Sequence, residues 1–296
     1  MIIRDKPGPI ELLFALRGSV LPKIAPQLAV VVALSSAMVI WDATWGRLPH
    51  LSASPFGLFG VALSLFLGFR NNAAYDRWWE ARKLWGGLLA DARSLAREAE
   101  VFLGNPQDRQ TLLRGMLTFL HLHRCALRGI AADQTARRHA EAAAIADPTP
   151  DAALTVMNGT LAQALREGRL DGFGARTLSG RLSAIALAQA GCERIRLTPL
   201  PYVYSLLVVR TTWLYVLLLP LSLLESSGWL TPLFTAIVAY TFFGLAEVTE
   251  ELAHPFGQTA NALPLDAICR NVEISLAPHL GEAPPSALAP VNYRLD

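Results

Sequence analysis

The sequence predicts an all-α membrane protein with four transmembrane helices and a helical domain inserted between the second and third. Three observations lead there. Hydrophobic residues make up 52% of the 296 residues and charged residues only 17%, with a mean hydropathy of +0.34; soluble domains carry about 25% charge. Several uncharged or nearly uncharged runs approach the roughly 20 residues that one bilayer crossing requires. No stretch alternates in the manner of a half-buried strand, whereas apolar residues recur at helical spacing throughout. The net charge of +2 is too small to argue for nucleic acid or an acidic partner.

In chain order, residues 1–23 carry Arg4, Lys6, Arg17 and Lys23 around Ile10, Leu12, Leu13, Leu16 and Val20. This pattern predicts a short amphipathic helix lying on the membrane surface. A cleaved signal peptide fits poorly, because the charged lead is long and no small-residue cleavage site follows. The first crossing is Ile24 to Trp41, uncharged between Lys23 and Asp42. The connection from Asp42 to His50 holds a single Arg, Arg47. A second uncharged run, Leu51 to Phe69, passes without a Pro break into Arg70, Arg77, Arg82 and Lys83. The excess of cations at that end places the N-terminus and the Arg70 end in the cytoplasm and residues 43–50 outside. The N-terminal segment and this pair of crossings form residues 1–89, with the long helix over 51–89.

Residues 90–198 differ in kind. Charges such as Arg93, Arg97, Glu98, Glu100, Asp108 and Arg109 interrupt the apolar periodicity every few positions, as on solvated helices. A helix or helix pair is expected over 110–146, ending at Asp147-Pro148-Thr149-Pro150, and Gly172-Phe173-Gly174 reads as a break before the next helix. The crossings resume in 199–249. One covers about Tyr202 to Leu224, with Arg210 inside it and Pro220 as a kink candidate; the other covers Trp229 to Ala246, after a short loop at Glu225–Gly228. Residues 250–296 return to the cytoplasm, and Pro284-Pro285-Ser286-Ala287 predicts a loosely ordered tail. No internal repeat is visible, which speaks against the inverted-repeat plan of many transporters.

The second crossing carries the candidate chemistry. Gly57, Gly60, Ser64 and Gly68 form a stripe of small residues, which lets membrane helices approach closely. Beside it, Val61, Leu65 and Phe69 share one face. Around an axis of several copies they would stack as apolar rings, a constriction that gates by dewetting; spacing alone also admits an ordinary lipid-facing helix. Asn71 and Asn72 follow and offer an amide oxygen and N–H to a passing ion without a fixed charge. Asp76, Arg77 and Glu80, crowded by Trp78, Trp79 and Trp85, read first as a structural ionic network and second as groups that hydrate ions. Arg210 is either a functional intramembrane charge or a side chain that snorkels to the interface.

Enzymatic motifs are not found. His121, His123 and Cys125 lie at i, i+2 and i+4, so on a helix His123 points away from the other two, and no carboxylate stands at ligand spacing. No metal site is expected there. Cys125, Cys192 and Cys269 are odd in number and widely spaced, as reduced thiols are. No Walker loop, dinucleotide glycine pattern or nucleophile elbow occurs in context, so neither a cofactor nor an enzyme is expected.

The run from Phe66 through Arg70-Asn71-Asn72-Ala73-Ala74-Tyr75-Asp76-Arg77-Trp78-Trp79-Glu80 resembles the signature of the bestrophin family in its bacterial form. Cys192-Glu193-Arg194-Ile195 with Thr198-Pro199-Leu200-Pro201-Tyr202, and Glu250-Glu251-Leu252-Ala253-His254-Pro255-Phe256-Gly257, agree in order and bracket roughly residues 8–275. The resemblance implies a homopentameric ion channel whose second helices line one central pore in the inner (plasma) membrane. It places the neck at Val61, Leu65 and Phe69, where the family usually has Ile or Phe at the first two, and a cytosolic aperture at Leu178. Eukaryotic members clasp calcium with carboxylates after Pro-Phe-Gly; here residues 258–266 supply only Asp266, and a calcium site needs about six oxygen ligands. Calcium gating is therefore not expected.

The function these readings predict is passive conduction of monovalent ions, with cations favoured over chloride by resemblance to the bacterial members. The expected partners are the chain itself, the bilayer and the permeating ions. Two alternatives remain: a secondary transporter, hinted at by Arg210 with Pro220, and a non-conducting scaffold or sensor, hinted at by Arg137-Arg138-His139 and the Pro-rich tail.

Overall fold

The computed structural model describes residues 1–3, 8–46 and 48–296. Arg4, Lys6 and Arg47, which entered the readings of the N-terminal segment and the first connection, lie outside the described residues. Among the described residues the secondary structure is helical, apart from isolated bridges of Ile2 and Val291 with Arg294. The helices are α1 (Pro9–Leu13), α2 (Leu21–Trp45), α3 (Ala53–Phe102), α4 (Pro106–Arg128), α5 (Gln134–Ala142), α6 (Pro150–Arg166), α7 (Gly172–Leu197), α8 (Tyr202–Ser227), α9 (Thr231–Ala253) and α10 (Leu265–Leu280). Among the described residues, three helical stretches are long and apolar enough to cross a membrane: Leu21–Trp45, Ala53–Phe102 and Tyr202–Ala253. The last is divided by a short 3₁₀ turn at Gly228–Leu230, where Gly228 takes φ +49°.

The chain divides into two compact units. One, here the apolar unit, comprises Asp5–Trp78 and Pro199–Ala253. Its core joins Ile24 and Val31 of α2, Leu63 and Leu67 of α3, Val208, Tyr215 and Leu219 of α8, and Ala239, Phe242 and Phe243 of α9. Gly60 faces Tyr215 there: a Cβ would lie 2.7 Å from the Tyr215 hydroxyl, so a larger residue would require that phenol to shift. Gly57 and Gly68, by contrast, have nothing within 4 Å of a would-be Cβ. Of the expected surface helix, the described residues show the five of α1, with Ile10, Leu12 and Leu13 exposed. Pro9 starts it at N1, and Gly18 at φ +77° turns the chain before α2.

The second, polar unit comprises Met1–Arg4, Trp79–Thr198 and His254–Asp296. The expected boundary at 89/90 falls inside α3, which runs unbroken to Phe102. The central helix of this unit is α4, buried almost continuously from Leu112 to Leu127. A side chain accepts from a free N–H at the start of each of four helices: Asn105 for α4, Asp133 for α5, Thr149 for α6 and Asp171 for α7. The Asp171 cap corrects the reading of Gly172-Phe173-Gly174 as a break before a helix. These residues are the first turn of α7, with Gly174 N–H donating to Asp171 Oδ1 at 2.6 Å.

Ion pairs tie the unit together. Arg181 meets Asp91 at 2.8 Å and Glu98 at 2.6 Å, and Arg124 bonds both Asp133 and Asp266. The predicted loose tail is held instead, since its backbone finds partners. Ile3 N–H donates to Tyr293 O, Ala267 N–H to Asp296 O, and Arg270 Nη1 to Ser286 O. All three cysteines are free and buried; burial pushes the Cys192 thiol up to about 12 and raises that of Cys269 as well.

Candidate functional site

The first half of α3 has two opposed faces, and this sorts its candidate residues. Leu63, Leu67, Arg70 and Ala74, at i, i+4, i+7 and i+11, are buried. Val61, Leu65, Phe69, Asn72 and Asp76 follow the same spacing on the other side, and all are exposed; Phe69 shows 70% of its surface. An uncharged apolar stripe thus passes into an amide and then a carboxylate along one line of the helix.

The buried face is fastened ionically. The Arg70 side chain is 5% exposed and donates through Nη2 to Ser205 Oγ at 2.9 Å and Glu250 Oε2 at 3.0 Å. Lys23 reaches Glu247 and Glu251, each at 2.7 Å. These bonds join α2, α3, α8 and α9 where their apolar runs end. A cavity of about 290 Å³ lies beside Arg70, lined also by Thr212, Trp213 and Glu247. A more open groove of about 520 Å³ follows Gly57, Gly60, Ser64 and Leu65 to Tyr215 and Phe242.

The structure separates residues that sequence reasoning had grouped. Asn71 is half-buried, its Oδ1 accepting from Thr249 at 3.4 Å, so only Asn72 continues the exposed stripe. Arg77 donates through Nε to the carbonyl of Ala253 at 2.8 Å, satisfying an end carbonyl of α9. Trp78 stacks on Tyr75 with ring centroids 6.5 Å apart. Within the polar unit, Trp79 is 47% exposed, Trp85 is buried, and Glu80 pairs with Arg194 at 2.5 Å. Asp76 stands apart from these contacts on the open stripe. Arg210 is exposed on α8.

Leu178 is fully buried in the core of the polar unit, with no surface to offer to an aqueous path. This corrects its reading as an aperture residue. Phe173, five residues earlier in the first turn of α7, is 82% exposed. The resemblance pointed to Leu178, while Phe173 was hidden in what read as a break between two glycines.

His121 lies beside neither His123 nor Cys125 as a ligand partner. Its Nε2 is 2.6 Å from Glu273 Oε1, and its ring stacks on His139 with centroids 4.5 Å apart. His123 is sandwiched between Trp85 and Phe119, and burial pushes its pKa down to about 3, so it is neutral. Asp266, the one carboxylate after Pro-Phe-Gly, is taken by Arg124 and by Arg128 at 2.7 Å.

These features define an all-helical membrane protein whose longest helix presents an uncharged stripe ending in polar groups. The description of the bacterial and fungal bestrophin family matches residues 1–278. The chain belongs to that family. It is 47% identical over 295 residues to a voltage-dependent anion channel-forming protein of Mesorhizobium japonicum, covering 97% of this chain and 95% of that one. A protein of the same designation from Escherichia coli K12 is 36% identical over 303 residues, with both chains fully covered. Among solved structures, a bacterial bestrophin homologue from Klebsiella pneumoniae superposes with a TM-score of 0.81 at 32% identity, covering 88% of this chain and 100% of that one.

Proposed function

We propose that the chain is the subunit of a bestrophin-type ion channel in the inner membrane. The apolar half of α3, together with α2, α8 and α9, would supply four crossings, with both termini in the cytoplasm. The regions 1–89, 90–198, 199–249 and 250–296 would serve as the first membrane pair, the cytosolic domain, the second membrane pair and the cytosolic tail. Five copies would surround one pore, with Val61, Leu65 and Phe69 as its apolar neck and Phe173, rather than Leu178, narrowing the exit. The observation that carries this reading is the unbroken exposed stripe on α3. An apolar, uncharged face at that place suits a dewetting constriction, and its neighbours Gly57 and Gly68 leave room for another helix. The names of the relatives support ion conduction.

Two observations bear on the sign of the permeating ion, in opposite directions. The relatives are named for anions, which goes against the cation preference expected from the resemblance to bacterial members. Asp76 favours cations, since one exposed carboxylate per subunit beyond the neck would form an acidic ring. Calcium control through the segment after Pro-Phe-Gly has little support, because Arg124 and Arg128 occupy its single carboxylate.

The test is reversal potential in a planar bilayer with asymmetric sodium chloride. Current reversing near the sodium potential, moving toward zero in Asp76→Asn, supports the acidic-ring reading. Reversal near the chloride potential, unmoved by Asp76→Asn, supports the anion reading. Silence from correctly assembled protein would overturn conduction and favour a scaffold.

A further inference from the structure

Helices α4, α5 and α10 of the polar unit bring together three side chains that are far apart in sequence. One ring nitrogen of His121, one of His139 and a carboxylate oxygen of Glu273 all lie within 4.8 Å of one another. We propose that His121, His139 and Glu273 form a binding site for a divalent transition-metal ion with imidazole affinity, such as zinc.

The donor set is the first argument. Two imidazoles and one carboxylate are the protein ligands of open zinc sites, which leave a fourth position to water or another ligand. His139 Nε2 stands 3.5 Å from Glu273 Oε1. That is close to the edge of about 3.3 Å of a tetrahedron with zinc–ligand bonds of about 2.0–2.1 Å. The fourth position has space to open into, because His139 and Glu273 line a cavity of about 390 Å³ between α4, α5, α10 and the segment after it.

The supporting groups are the second argument. Arg270 lies 2.7 Å from the other oxygen, Oε2 of Glu273, and the Thr118 hydroxyl of α4 donates to the backbone carbonyl of His139 at 2.8 Å. Such outer contacts fix ligand orientation.

Two features set the selectivity. Arg114, Arg138 and Arg270 line the same cavity, which disfavours ions held by charge alone, such as calcium or magnesium. The two imidazoles stack with 8° between their planes. A metal lying in both ring planes therefore requires one ring to turn, and His139, with 23% of its side chain exposed, has the freedom to do so.

The test is titration of the detergent-solubilised, chelator-stripped full chain with Co²⁺, followed by its visible absorption, and then competition by Zn²⁺. One Co²⁺ per chain with a tetrahedral spectrum is expected. His139→Ala and Glu273→Gln should each weaken uptake at least about tenfold, since losing even an outer-shell partner costs about 10–100-fold. His279→Ala, which breaks a separate His–carboxylate pair with Glu100, should leave it unchanged. The partly exposed His139 makes its variant the one to rely on if Glu273→Gln fails to assemble by size exclusion. Absence of stoichiometric uptake by the wild-type chain, or full uptake by folded His139→Ala, would overturn the proposal and leave a hydrogen-bonded triad only.

Discussion

Asp266 shows how one side chain can close one role and open another. Burial pushes its carboxyl up, yet hydrogen bonds from Arg124 and Arg128 outweigh burial and hold it below the usual 3.8. A lowered folded pKa means that the native state binds fewer protons than the unfolded chain. The stabilisation is therefore complete above about pH 4 and is lost as pH falls through the folded value. Asp266→Asn should lower thermal stability at pH 7 and flatten its acid dependence below about pH 4, read by unfolding of the solubilised protein across pH. A variant with an unchanged acid profile would show that other carboxylates set it. Removing one partner of such a network typically costs more than the pair contributes, because Arg124, buried at 7% exposure, keeps its charge.

At the scale of the element, α3 and α7 make contrasting claims on their apolar residues. Leu65 is exposed on α3 and Leu178 buried in α7, although both are leucines on long helices. If α3 lines the pore, Leu65→Ala widens the neck and should raise single-channel conductance without lowering stability. Phe173→Ala should likewise change conductance or rectification. Leu178→Ala should instead destabilise the chain by about 2–5 kcal/mol, the ordinary loss for a leucine truncated in a core, and leave the conductance of surviving channels unchanged. Equal conductance in wild type, Leu65→Ala and Phe173→Ala would remove both constrictions from the proposal.

Across the whole molecule, what could be read in advance was what is local. The helical class followed from uncharged runs and the family from three short segments, of which the longest, Arg-Asn-Asn to Trp-Trp-Glu, lies within a single helix. The stripe on α3 was visible for the same reason, since a 3.6-residue period fixes which side chains share a face. Features made by distant segments were hidden. Nothing near His121 announces His139 on another helix or Glu273, 152 positions away. The tail reads as loose from its prolines until Arg270 and the N-terminal strand-like residues are seen to hold it. Leu178 was placed as an aperture by resemblance, and Phe173 was passed over because its flanking glycines read as a break; burial, which separates the two, is set by distant segments of the fold.

The burial of Cys125, Cys192 and Cys269 has a practical consequence. Towards a maleimide the native protein should behave as though it contained no thiol, labelling only once denatured. Reporter cysteines placed singly at positions 61, 65, 69, 72, 76 and 173 would then need no prior removal of the native three. Their modification rates from each side of the membrane, with the wild-type chain as a silent background, would trace the water path residue by residue. Rapid labelling of the native wild-type protein would instead reveal a breathing motion of the helices that cover these thiols.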